Sequence, residues 1–215
     1  MKVRLARVAA VVGVAAVVAV VVAVAASPSA SATKTIPLNL SLDKVTVSAT
    51  VTVGTTTIEN GQLVVNGTVS GSATVLGISA TIPSQSVTLT ANATCQGGTG
   101  TLTLTTSSLT ANLSTGQTLT LAPATVTVSA TCGTTATLTL TAAPVTATLS
   151  DGTSIATSEC SVTVSSPAGT TLGSNICQVQ QLICKLADAI ASGSPTQAIS
   201  LLSRTLSKVQ ATTLG

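Results

Sequence analysis

VTLTANATC (residues 87–95), answered further on by TVTVSATC (residues 125–132), decides how this chain folds. Val87, Leu89, Ala91, Ala93 and Cys95 fall on one face of the first stretch, and Val126, Val128, Ala130 and Cys132 on one face of the second. Alternation at period two marks β-strands with one buried and one wet face. Cys160 is likewise in phase with Val162 and Val164. The phase predicts that Cys95, Cys132 and Cys160 face the core, as disulfides or as buried thiols.

Working outward, Leu102, Leu104, Leu113, Gly116 and Val126 stand 36 residues before Leu138, Leu140, Leu149, Gly152 and Val162. Each copy reads as strand, strand, tight turn, strand, strand, and the turns are Ser114-Thr115-Gly116 and Ser150-Asp151-Gly152. Two copies are too few for a solenoid. Strands spaced this closely, with turn residues between them, predict an antiparallel β-sandwich or barrel over residues 33–166.

Towards the N-terminus, Ile36, Leu38, Leu40 and Leu42 alternate, and so do Val45, Val47, Ala49, Val51 and Val53. Asn60-Gly61, between Thr57-Ile58 and Leu63-Val64-Val65, is a hairpin signal, because both turn positions need a positive φ. Asn66-Gly67 reads as a second turn or a bulge. Residues 69–82 form a weaker strand, interrupted by Gly71 and Gly77 and closed by Pro83.

Beyond Pro167 the periodicity changes. Ile176, Val179, Ile183, Leu186 and Ile190 recur at three- and four-residue steps, which predicts an amphipathic helix over 174–192. Ser194-Pro195-Thr196-Gln197 supplies an N-cap, a proline at the first helical position and a capping-box glutamine. Ile199, Leu202, Leu206 and Val209 continue a second helix. Residues 167–215 thus read as a helical segment packed on the sheet. Cys177 and Cys184, two turns apart, stand about 10 Å from each other, out of disulfide reach.

Lys2, Arg4 and Arg7 precede an apolar run over residues 8–26, and Ala30-Ser31-Ala32 ends the small residues that follow. A positive n-region, an apolar h-region and an A-x-A site predict a secretory signal peptide over 1–32. An uncleaved anchor is the competing reading, and the small residues favour cleavage. No cysteine near the site invites lipidation. From Thr33 onward, Lys34, Lys44, Lys185, Arg204 and Lys208 balance Asp43, Glu59, Asp151, Glu159 and Asp188. A neutral chain offers no electrostatic footprint to nucleic acid or to anionic lipid, so contact with membrane is expected only through the signal peptide.

Phe, Trp, Tyr and His are all absent. A core of Val, Leu, Ile and Ala buries little area per residue, so the domain should need covalent staples. The five cysteines, Cys95, Cys132, Cys160, Cys177 and Cys184, are the disulfide candidates in an exported chain. Because five is odd, at least one is left over.

GQLVVNGTVSGSA at 61–73, the Thr131-Cys132 pair and AGTTLGSNICQV at 168–179 resemble an uncharacterised family of secreted bacterial proteins. In that family a glycine-spaced hairpin precedes an A-T-C strand, and an A-G-x-x-L-G-x-x-x-C segment opens the C-terminal helix. Ala168, Gly169, Leu172, Gly173, Cys177 and Val179 match the second motif as they stand. Thr170-Thr171, Ser174-Asn175 and the additional Cys95, Cys160 and Cys184 depart from it. The resemblance implies a bridge between Cys132 and Cys177, with Cys95 as the competing strand partner. It implies no activity.

Without histidine, Ser-His and Cys-His dyads are excluded, as are most zinc sites. Lys44, Lys185 and Lys208, the lysines a Ser-Lys pair would need, fall in a turn or on amphipathic helices. Glu59 with Asp43, or Asp151 with Glu159, is the carboxylate arrangement a glycosidase would need. Yet Glu59 and Asp151 belong to turns, and there is no aromatic wall. No calcium loop, Walker or Rossmann pattern is present. Asn39, Asn66, Asn92 and Asn112 lie in N-x-S/T frames, where Ser and Thr are common.

These readings assign no catalytic, cofactor or metal residue. They predict a secreted, non-enzymatic structural or adhesion-type module of a bacterial surface or extracellular matrix, with cell-wall or matrix components as partners. The alternatives are a carrier of an apolar ligand held between sheet and helices, and a carboxylate-dependent hydrolase acting through Glu59 and Asp151.

Overall fold

Residues 35–42, 45–75, 78–156 and 158–214 are described in a computed structural model. The expected signal segment, with Asp43 and Lys44, lies outside them. Strands β1 (Thr35–Leu42), β2 (Val45–Glu59), β3 (Gln62–Val75) and β4 (Ile78–Gln96) pair in sequence as an antiparallel meander. Asn60 and Gly61 join β2 to β3 with φ of 51° and 72°, the pair of positive values a two-residue hairpin demands. Asn66-Gly67 is not a turn. It lies inside β3, opposite a register shift between Val53 and Thr56, and a side chain at Gly67 would collide with the Thr52 carbonyl oxygen.

Pro83 does not close a strand either, because β4 runs through it to Gln96. The β3–β4 register slips between Val69 and Gly71, opposite Pro83, and a bulge is where a strand tolerates a residue without an N–H. The slip also explains the inward phase of β4. Ala80 and Ile82 are buried before it, and Val87, Leu89 and Ala91 after it.

The remaining strands are β5 (Thr99–Thr106), β6 (Leu109–Leu113), β7 (Thr118–Leu121), β8 (Thr125–Thr131), β9 (Thr135–Ala142), β10 (Thr146–Leu149), β11 (Ser154–Ala156) and β12 (Cys160–Pro167). The order strand, strand, turn, strand, strand occurs over β5–β8 and again over β9–β12. Gly116 and Gly152 hold matching positions in the two turns, with φ of 82° and 83°. Each pair, β5 with β6 or β7 with β8, is one long strand broken midway. Thr99 faces Thr131 and, beyond the break, Leu109 faces Leu121 in unchanged register.

The breaks share one level of the sheet. Buried residues step by three across them, from Thr106 to Leu109 and from Leu121 to Ala124, where alternation would step by two. In β9–β10 the buried set passes from Ala136 and Leu138 to Val145 and Ala147. One extra residue per strand bends the sheet there and keeps the same face inward. Pro123 and Pro144 sit at this level, where no ladder N–H is needed. The path from β11 through β10, β7, β6, β4, β5, β8 and β9 to β12 stays open, so the fold is sandwich-like and the barrel alternative is discarded.

Two helices pack on the inner face, against β2, β3, β4, β5, β8, β9 and β12. Helix α1 (Thr171–Ala191) begins three residues before the periodicity suggested, because Thr170 caps it by accepting from the Gly173 N–H. Gly173 is needed there, since any side chain would strike the Pro167 carbonyl oxygen. Helix α1 crosses β4, β5, β8, β9 and β12, and its Ile176, Val179, Ile183, Leu186 and Ile190 are all buried. Helix α2 (Pro195–Leu214) packs back on α1 and against β2 and β3. It is buried round most of its circumference, with Leu201, Leu202, Ser203, Thr205 and Leu206 all inside. Thr205 and Thr212 donate to the carbonyls of Leu201 and Lys208, so their hydroxyls enter the interior satisfied.

Candidate functional site

Cysteines tie the helix layer to the sheet. Cys132 pairs with Cys177 and Cys95 with Cys184, each with Cα atoms 5.0 Å apart. The two helical cysteines lie two turns apart on one face of α1, and the two strand cysteines end the inward phase of β4 and β8. Burial differs from the prediction. Cys95 and Cys132 are exposed, because they stand where their strands end and α1 passes over the rim. Cys160 is the free cysteine and is also exposed. It shares the inward side of β12 with Val162 and Val164, but only Val164 is reached by the core. The Cys95–Cys184 bridge was not assigned from sequence. Its signal was the seven-residue spacing of Cys177 and Cys184, which presents two thiols to the same sheet end.

The acidic residues do not converge. Glu59 adjoins the β2–β3 turn, at the sheet end where α1 crosses, and accepts from the Thr57 hydroxyl at 2.7 Å. Asp151 occupies the β10–β11 turn at the opposite end of the strands. The Thr153 N–H donates to its Oδ1 at 2.9 Å and Gln117 Nε2 to its Oδ2 at 3.0 Å. These bonds, the Thr153 backbone bond first, hold its carboxyl below the ordinary aspartate range. Glu159 precedes β12, at the level of the bend and away from that turn. Among the described residues, no three of His, Cys, Asp and Glu gather where a metal ion could be held. No described helix is long and apolar enough to cross a membrane.

The outward face of the sheet is ordered. The pairing registers set Thr94, Thr101, Ser129, Thr139 and Thr163 side by side across β4, β5, β8, β9 and β12. Asn92, Thr103, Thr127, Thr141 and Ser161 form the row on one side of it. Gln96, Thr99, Thr131, Thr137 and Ser165 form the row on the other. Strand spacing separates neighbours within a row by about 4.8 Å, and two residues of rise separate rows by about 6.7 Å. Hydroxyls join across strands at Thr99···Thr131 (3.0 Å), Thr139···Thr163 (3.1 Å), Thr141···Ser161 (3.2 Å) and Thr137···Ser165 (3.3 Å). None of the three rows contains a charged residue. Asn92 and Asn112 are exposed, whereas Asn66 accepts from the Thr88 hydroxyl at 2.8 Å.

Compared with protein-family models, curated proteins and solved structures, the chain matches none of them.

Proposed function

We propose that this is a secreted, non-enzymatic structural or adhesion-type module of a bacterial surface or extracellular matrix, and that the outward hydroxyl face is its contact surface. The observation that carries the reading is the uncharged array of three rows across five strands, its hydroxyls tied into cross-strand pairs. Held hydroxyls lose little rotamer freedom on contact, and they suit a polar, uncharged, repeating partner such as an insoluble polysaccharide. Two disulfides fit an oxidising compartment, and the motifs at 61–73 and 168–179 support a bacterial secreted origin.

The test is retention of the purified protein on insoluble cell-wall and matrix fractions. Thr101→Val and Thr139→Val together remove two central hydroxyls at nearly constant shape. The double variant should keep its fold and lose most of the retention. Equal retention of parent and variant, or no retention of the parent, would refute the reading.

A further inference from the structure

The last strand, β12, is paired along its whole length with β9, and among the described residues nothing pairs with its other side. A free edge exposes alternate main-chain N–H and C=O groups, and proteins usually protect such edges with charge, proline, a bulge or shortness. Between Cys160 and Ser166 there is no charge and no proline, and the eight-residue ladder to β9 has no slip. Its neighbour along the same edge, β11, is three residues long and so protected by shortness. Val162, in the middle of β12, is the exposed large hydrophobic residue among those described, at 54%.

The occupant is set by the strand's own order. Ser161-Val162-Thr163-Val164-Ser165 reads the same in both directions. We infer that β12 is a homotypic docking edge, at which a second copy of this chain adds its own β12 antiparallel about a two-fold axis through Thr163. Isologous pairing requires a surface to match its own inverse, which a palindromic strand does. In this register Val162 lies against Val164 of the second copy, on the inner side. Ser161 lies against Ser165 of the second copy and Thr163 against its equivalent, so the outward rows continue across the axis. Glu159 falls opposite Pro167 of the second copy, and no like charges meet. A pairing one residue to either side would bring hydroxyls against valines and flip the inner and outer sides.

One strand pair buries area at the low end for specific interfaces, so the dimer is weak and concentration-dependent. The inference is independent of what the hydroxyl face binds. Sedimentation of the purified protein from micromolar to millimolar concentration should show monomer passing to dimer. Val162→Lys should stay monomeric throughout.

Register is tested with Thr163→Cys in a Cys160→Ser background. Each pair of thiols would give two protons and two electrons to a small-molecule disulfide, which leaves as two thiols, while a bond forms across the axis. This variant should cross-link at least about tenfold faster than Thr101→Cys in the same background, because docking raises the effective concentration of the thiols. Equal cross-linking rates, or a monomer at every concentration, would overturn the inference. So would a parent dimer joined through its two Cys160 thiols, which would place the axis at Cys160.

Discussion

Gly100 lies directly beneath Ile183. A Cβ at Gly100 would stand 3.0 Å from the Ile183 Cβ and 3.0 Å from the Gln180 carbonyl oxygen, tighter than ordinary packing. The missing side chain lets α1 lie close on β5, and both bridges close at this same end of the sheet. Gly100→Ala should therefore destabilise. Removing glycine freedom from the unfolded chain is worth about 0.4–1 kcal/mol, whereas overpacking a fixed interface costs about 1–3 kcal/mol. Urea midpoints should fall for Gly100→Ala and further for Gly100→Val. An unchanged midpoint for the valine variant would show that the helix does not seat on Gly100.

The Cys95–Cys184 bridge encloses the Cys132–Cys177 bridge, with sequence separations of 89 and 45. Because the inner bridge already shortens the outer loop, the two are not independent. Replacing either pair by alanine should cost about 3–4 kcal/mol of loop-closure entropy. Removing both frees the helices from a sheet whose core has no aromatic residue. Urea unfolding of the two paired variants gives the numbers, and a loss below about 1 kcal/mol would mean the reduced chain retains the same constraint. Thiol titration of the unfolded, unreduced protein should find one free thiol, and peptide mapping should place it at Cys160. Cys160→Ser, at an exposed edge, should change stability by less than about 0.5 kcal/mol.

Regular patterns were legible in the sequence, and exceptions were not. Period two marked the strands from β4 to β12, and both helices were placed from their apolar steps. The residues that periodicity picked out, from Ile176 to Val209, are all buried, but α2 also buries Leu201, Ser203 and Thr205, which it did not pick out. Alternation gives the side of a strand on which a residue lies, but not whether anything reaches that side. Cys160 shows the difference, since it shares the inward side of β12 but lies beyond the core. The bend escaped for a related reason. One extra residue in each of several strands is visible only when the strands are aligned, and Ser107-Ser108 or Pro123 alone looks like a turn. Pro83 misled because a bulge can accommodate what a regular strand cannot. Cys184 needed a partner that only the path of α1 across the strand ends supplies.

Asp151 should give a pH signature. Its bonds to the Thr153 N–H and to Gln117 favour the ionised form, so its folded pKa lies below its unfolded value. A depressed carboxyl contributes stability above the unfolded pKa, and that contribution is lost as pH falls through the folded pKa. Stability should thus decline from about pH 5 downward, and Asp151→Asn should remove this part of the decline. The effect is small, because the turn is open to solvent. A carboxyl-carbon titration with its midpoint at or above the ordinary aspartate value would contradict the bonding.

Gln85 repairs the ladder where β4 meets the bend. Backbone pairing of β4 with β5 ends at Leu89 and Thr106, and pairing with β6 covers only Ala80 and Thr81. Between them the Gln85 amide acts as an extra peptide group. Its Oε1 accepts from the Thr110 N–H at 2.9 Å and from the Thr110 hydroxyl at 3.0 Å, and its Nε2 donates to the Thr110 carbonyl at 2.7 Å. Gln85→Ala would strand a half-buried donor and acceptor of Thr110, at a cost of about 1–3 kcal/mol. Gln85→Glu keeps the shape and the acceptor but places a carboxylate oxygen against the Thr110 carbonyl. If the paired amide is what counts, the glutamate variant should be as destabilised as the alanine variant at neutral pH. It should then recover on acidification, once the carboxyl regains a proton to donate. A glutamate variant as stable as the parent at neutral pH would show that Gln85 serves only to fill space beside the bulge.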